Sequence, residues 1–522
     1  MKGENRMDPL TISLLSPLVS AAKPLIGSGA IGYTLYRLFQ NQTPYDHLKQ
    51  YVRHVHIMGI NGSGKTTKAL EIARSILSDV RRPGLLWIDT HGESSWDLVK
   101  LVPENRWQDV IWFDPQADRV VGFNPLQMPS GADAEAVQSL ITGDLVDLLS
   151  DLYGAKGWGE NIEEYIMNAT LALLEYSQQT QTPVTLLDVP RFMLDSQFYR
   201  TVMDHIDNVV VRDMWEDFFK NRTENAAQKE LDRAKRKLRK PLASSFVLET
   251  LCQPEGGLIP EKAIEEGKIV IARLTRNPLG SVNQRLLAGM LTSRFIQAGL
   301  SRKPERQGGE NNKFFYLFLD EFQSYMKALG DSVEEGLAQL RKYRVGIFLI
   351  HQGLFQLEGK PFLRAAVDQT ATKFLFTVDT KDGGTIEKYL GVTPEQKKNK
   401  QGYTAARMTG FPQLRTLHVW STPQGRHMKE QTVEYPKPIR TDEEARQLVE
   451  WSITQYGEER WKVKEYLRTV FQKDLKTNYD GVIIDVDVKE GKGESQIETE
   501  RERPADTWIT GPFPLHGDLT DS

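Results

Sequence analysis

The sequence predicts an α/β fold with a mainly parallel sheet, interrupted by an all-helical insertion and followed by a disordered acidic C-terminal tail. Three observations carry that expectation. Gly59-Ile60-Asn61-Gly62-Ser63-Gly64-Lys65-Thr66 fits the GxxxxGK[ST] phosphate-loop pattern, between a strand-like and a helix-like segment. Short apolar runs ending in acids or amides alternate with helical periodicity before residue 131 and again after residue 255. Between those limits strand-like runs vanish and helical spacing takes over.

In chain order, Val52–Met58 alternates apolar and polar residues as a strand does. After the glycine loop, Ala69, Leu70, Ile72, Ala73, Ile76, Leu77 and Val80 recur at the spacing of a helix with one buried face. Gly84–Asp89 and Asp109–Asp114 read as buried strands that bring Asp89 and Asp114 to the carboxyl edge of the sheet. Residues 132–255 form the insertion, with helices expected over Ala134–Leu152, Ile162–Tyr176 and Val210–Phe219. A basic helix over Lys229–Lys240 is expected to stop at Pro241. The sheet resumes at Lys268–Leu274 and continues through Lys313–Glu321 and Tyr343–Gln352, with later strands at Lys373–Val378 and Leu417–Trp420. One C-terminal helix is expected within residues 441–475, before the Gly-, Glu- and Lys-rich tail of residues 476–522. The units are thus residues 1–44, 45–131, 132–255, 256–440, 441–475 and 476–522.

Composition narrows the class. With 39% apolar and 26% charged residues in 522, the chain reads as a globular protein of two or three domains. Its one cysteine, Cys252, excludes an internal disulfide and fits a reducing cytoplasm. Cysteine and histidine show no paired ligand spacing, which argues against structural zinc. A formal charge of −4 provides no overall cationic field, so nucleic-acid binding requires local basic surface. Lys229–Lys240 is such a surface, with seven cations against two acids, over about 18 Å of helix. A solvated helix face is its other reading. At the N-terminus, within residues 8–37, Leu10–Ala22 and Pro24–Tyr36 are two uncharged stretches broken by Lys23-Pro24. That leaves two readings, an anchor at the inner membrane or a helix docked on the rest of the chain or on a partner.

The chemistry follows from the glycine loop. Backbone N–H groups and a positive helix end surround a polyphosphate there. Gly59, Asn61, Gly62, Ser63, Gly64, Lys65, Thr66 and Thr67 are therefore the candidate ATP-binding residues. Lys65 reaches the β- and γ-phosphates and Thr66 offers its hydroxyl to Mg²⁺. The strand ending in Asp320-Glu321, expected beside the strand that feeds the loop, supplies two carboxylates. The first holds Mg²⁺ and the second orients or deprotonates the attacking water. Gln352, ending the next strand, is placed to contact the γ-phosphate or that water, or else to bond its own loop. Arg341 precedes that strand and has two readings: a transition-state arginine for an adjacent subunit, or a cation favouring a helix end.

Taken in order, Gly59–Thr66, Ile88-Asp89-Thr90-His91-Gly92-Glu93, Gly122-Phe123-Asn124-Pro125-Leu126, Leu319-Asp320-Glu321-Phe322, and Arg341-Lys342-Tyr343 with His351-Gln352 resemble HerA/FtsK-type DNA-pumping ATPases. Within that group the chain is most similar to TraG/TraD-like coupling proteins of conjugative type IV secretion, over roughly residues 45–430. The resemblance implies a RecA-like P-loop NTPase motor with a helical insertion, and a homo-oligomeric ring, usually of six subunits. ATP and Mg²⁺ would bind between subunits, and DNA would pass through the centre. By match, Lys65 and Thr66 bind phosphate and Mg²⁺, Asp320 and Glu321 are the Walker B acids, Gln352 is the sensor, and Arg341 acts in trans. A relaxase or secretion-channel proteins are the implied partners.

Three features depart from the group. Coupling proteins of this type carry two membrane helices that residues 1–45 do not supply, and the β-barrel preceding the loop in HerA is not expected here. Arg344 stands where a small residue is usual. Two other functions share this chemistry: an ATPase driving protein export or assembly, and a nucleotide-gated docking platform that moves nothing.

Overall fold

A computed structural model of the chain describes residues 46–128, 134–154, 156–326, 329–422 and 425–477. The expectations for residues 8–37 and for the tail beyond residue 477 lie outside the described residues. Nine strands form one sheet in the order β10-β9-β8-β1-β7-β6-β2-β5-β3. They are β1 Val55–Met58, β2 Gly84–Asp89, β3 Val110–Phe113, β5 Ile269–Arg273, β6 Phe315–Asp320, β7 Val345–His351, β8 Thr372–Leu375, β9 Arg415–Thr422 and β10 Gly425–Thr432. From β3 to β8 every pairing is parallel, and β9 and β10 add two antiparallel pairings at the edge. A separate two-stranded ladder joins β4 Arg119–Val121 to β11 Gly457–Glu459.

The central strands are buried on both faces, as parallel strands covered by helices are. The polar positions of the alternating stretch face no solvent: His56 in β1 and His54 just before it are buried too, at 1% and 3% exposure. The register levels the carboxyl ends: Met58 pairs with His351, and Asp320 with Ile350. The strand of Asp320 is not beside β1, however; β7 lies between them. Gln352 therefore leaves the sheet between the glycine loop and the two acids.

Helix α1 (Lys65–Leu77) and helix α2 (Glu93–Val99) follow β1 and β2. The insertion contains α3 Ala134–Tyr153, α4 Glu160–Thr180, α5 Asp188–Leu194, α6 Ser196–Met203, α7 Val209–Lys220, α8 Glu224–Leu242 and α9 Ser245–Leu251. The chain rejoins the sheet at β5, and helix α10 (Ser281–Leu300) connects β5 to β6. Pro241 does not stop α8, which runs one residue further. Proline removes the N–H that would have bonded the Lys237 carbonyl and so costs a helix dearly. Here the Tyr153 hydroxyl donates to that carbonyl at 2.5 Å, which replaces the missing donor. The C-terminal helix is likewise divided, into α11 Asp442–Tyr456 and α12 Arg460–Thr477, with β11 between them.

Apolar side chains pack both faces of the sheet. On one face Ile57, Trp87, Phe318 and Phe348 meet Leu70 and Ile76 of α1 and Leu448 of α11. On the other, Leu86, Leu317 and Leu349 meet Leu287 and Phe295 of α10, and the same cluster continues to Trp215 and Leu238 in the insertion. Fully burying such side chains contributes about 1.5–3 kcal/mol each, which fixes the strand ends where the site lies.

Candidate active site

Gly59–Thr66 turns from β1 into α1 in a conformation that requires its glycines. Gly64 caps the helix at φ +115°, outside the range of L residues. At Gly59 a Cβ would lie 2.5 Å from Phe376 Cβ and 2.6 Å from Ser63 Oγ. The loop is braced from outside. Ile60 N–H donates to the Thr377 carbonyl at 2.8 Å, Leu414 N–H to the Ser63 carbonyl at 2.9 Å, and Gln413 Nε2 to the Gly62 carbonyl at 3.0 Å. Lys65 is buried at 8% exposure and its ammonium donates to the Ile60 carbonyl at 3.1 Å. Burial pushes its pKa down against the opposing pull of Asp320 and Glu321. Asn61, Gly62 and Thr66 are exposed and Thr67 is half-buried.

Two observations test whether these residues suit a Mg²⁺-nucleotide. The Ser63 hydroxyl is buried without a hydrogen-bond partner inside the cradle, as a group awaiting a phosphate oxygen would be. Thr66 and Asp320 both border one small, mostly apolar cavity with Trp87, Ser94, Phe318 and Ile350, which places them near each other; a hydroxyl and a carboxylate are oxygen donors of the kind Mg²⁺ takes alongside phosphates. The residues fit.

Asp320 ends β6, and burial raises its carboxyl to about 7, with Glu321 and then Asp89 adding to the effect and His91 and Lys65 opposing it. Glu321 follows in the left-handed region at φ +49° and ψ +38°. Its Oε1 accepts from Gln352 Nε2 at 3.0 Å and its Oε2 from Gln323 Nε2 at 2.5 Å. Asp382 fixes the loop after Gln352 by accepting from Leu354 N–H at 2.6 Å and Phe355 N–H at 3.0 Å. His351 is fully buried, with its Nε2 2.7 Å from His56 Nε2. Burial and then the Lys65 charge hold its pKa down at about 3. It stays neutral near pH 7 and cannot take up a proton there, which suits a structural neighbour.

Lys65, Thr66, Asp320, Glu321 and Gln352 are thus gathered at one sheet edge. Arg341 is not. It lies exposed in the 3₁₀ turn Leu340–Tyr343 before β7, and the seven residues of β7 separate it from Gln352, about 23 Å of strand. Arg344, the departure from the usual small residue, adopts φ +61°. Its guanidinium pairs with Glu305 at 2.7 Å and donates to the Asn312 carbonyl at 3.1 Å.

Asp89 has a role that the motif did not reveal. One oxygen accepts from His91 and Gly92 N–H at 2.9 and 2.7 Å, and the other from Ser95 N–H and Oγ, both at 2.8 Å. It therefore folds the loop carrying His91 against the Asp320 edge. Asp114 instead pairs with Arg273 at 2.8 Å. Asp382, Gln413 and Leu414 carry no distinguishing signal in sequence because each acts from far along the chain, and Gln323, though only two residues from Glu321, fits no pattern that marks an amide there.

No protein-family model matches the chain, and no curated protein sequence does. Solved structures do. The unbound bacterial conjugative coupling protein TrwB aligns with a TM-score of 0.53 at 15% identity, covering 75% of this chain and 87% of that one. TrwB with the non-hydrolysable ATP analogue ADPNP gives 0.53 at 15% identity over 75% and 88%. TrwB with ADP and Mg²⁺ gives 0.52 at 16% identity over 76% and 89%. Across three quarters of its length, the chain therefore has the fold of a conjugative coupling protein.

Proposed function

We propose that this protein is an oligomeric, Mg²⁺-dependent ATPase that moves DNA through a ring of its own copies, as a coupling protein of conjugation. The observation that carries the hydrolytic part is the position of Glu321, hydrogen-bonded to Gln352 and close enough, with Asp320, to perturb Lys65. Lys65 and the loop N–H groups hold the phosphates, and the loop glycines let the backbone approach them. Thr66 and Asp320 hold the cation, which neutralises phosphate charge when bound. Glu321 orients and deprotonates the attacking water, and Gln352 contacts the γ-phosphate or that water.

Arg341 lies too far from its own chain's Lys65 to serve that site, so on this reading it completes the site of a neighbouring copy. Structures of TrwB with an ATP analogue and with ADP and Mg²⁺ support the choice of cofactor. The exposed cations of α8 favour a polynucleotide over a protein as the cargo.

Complementation tests the shared site. Lys65→Ala and Arg341→Ala should each abolish turnover, because one removes the phosphate ligand and the other the trans arginine. An equimolar mixture should regain part of it, since some interfaces then hold an intact pair. Failure to recover on mixing, with both variants still assembling, would argue against a site built from two copies.

A further inference from the structure

Glu321 is held by two amides of different origin. Gln352 comes from the neighbouring strand end, whereas Gln323 belongs to the 3₁₀ turn Phe322–Ser324 directly after the glutamate. Gln323 is only 7% exposed, and its backbone carbonyl accepts from Lys360 Nζ at 3.0 Å, which ties the turn down. Its amide can present only its NH₂ to Glu321, because the reverse orientation would set an oxygen against a carboxylate. Glu321 itself stands in the left-handed region, where a long side chain is uncommon and needs outside support.

We propose that Gln323 is a positioning residue for Glu321, keeping the carboxylate aimed while Gln352 turns away to meet the nucleotide. The two bonds have separate consequences. Gln352 cannot remain fully committed to Glu321 and also report on a γ-phosphate. Gln323 has no such second task, and it engages Oε2, which leaves Oε1 to accept from water once Gln352 departs. This assignment rests on the hydrolytic reading of Glu321.

The test uses the full chain, with Gln323→Met to remove the donor at nearly constant size and Gln323→Glu to replace it with an acceptor. Steady-state ATP hydrolysis, binding of a non-hydrolysable ATP analogue and thermal melting are measured together. Hydrogen bonds to charged groups are strong enough that Gln323→Met should lower kcat roughly tenfold or more. KM and analogue affinity should stay within about twofold, the pattern of an interaction needed only at the transition state. Gln323→Glu should lower kcat further, since it sets one carboxylate against another. If Gln323→Met loses analogue binding and thermal stability in step with kcat, Gln323 is a packing residue and the assignment fails. A wild-type kcat that Gln323→Met matches removes the assignment alone, whereas a wild type without turnover removes the hydrolytic reading with it.

Discussion

Lys373 and Asp89 are buried at 3% and 1% exposure, and neither could be ranked from the sequence. Asp89 ends a strand as the pattern required, but its work is structural, because all four of its hydrogen bonds close the next loop. Lys373 sits in β8, where its amine donates to Thr370 Oγ1 at 2.5 Å and to the Val367 carbonyl. Burial lowers its pKa from 10.5 to about 7. In the unfolded chain that amine stays protonated up to the higher value, so between the two the unfolded state binds more protons. Stability should therefore rise with pH across that window, with a slope of up to about 1.4 kcal/mol per unit from this group. Lys373→Met removes the contribution. Urea unfolding at pH 7 and pH 9 should show the wild type gaining on the variant as pH rises, and parallel curves would count against the buried amine.

At the scale of elements, the glycine loop was legible because its constraints are local: positive φ and close backbone contact admit few residues. Its bracing was not, since Thr377, Gln413 and Leu414 reach it from far along the chain. Gly64→Ala forces a side chain to φ +115° and sets its Cβ 3.0 Å from Leu414 Cδ2 and Phe376 Cε1. The left-handed penalty alone is about 1–2 kcal/mol. A lower melting temperature and at least roughly tenfold weaker ATP-analogue binding should follow, because the N–H groups lose their aim. Calorimetry and titration on one preparation measure both. Edge elements were missed for a related reason. β10 is mostly exposed and polar, so it carries no hydrophobic alternation to read. Three-residue strands such as β4 and β11 carry too little pattern to detect at all.

The whole molecule joins insertion and sheet through one apolar cluster. Polar ties add to it: Arg460 of α12 pairs with Glu249 of α9 and donates to the Pro115 and Ala117 carbonyls, each at 2.7 Å. Helix α8 buries Ala227, Leu231, Ala234 and Leu238 in that cluster, which turns Lys229, Arg233, Arg236 and Lys240 outward as one exposed row. The cations step about 4.5–6 Å along the helix axis, a spacing suited to successive phosphates of one strand. On the proposed function, changing all four to Gln should reduce the salt dependence of single-strand binding. Each lost contact removes about 0.7 from the slope of log K against log salt, so four remove up to about 3. An unchanged slope with intact binding would assign the row to solvent.

Sequence alone determined the α/β class and the places of the glycine loop, the acid pair and the strand-end glutamine, because each is written in contiguous residues whose backbone demands are local. Only the tertiary structure decided that β7 separates the loop strand from the acid strand, that Tyr153 carries a helix past Pro241, and that two glutamines share Glu321. The strand order, Tyr153 and Gln352 each involve groups brought together from distant parts of the chain, and even for Gln323, two residues from its glutamate, no short stretch of sequence records which partner will satisfy a buried polar atom.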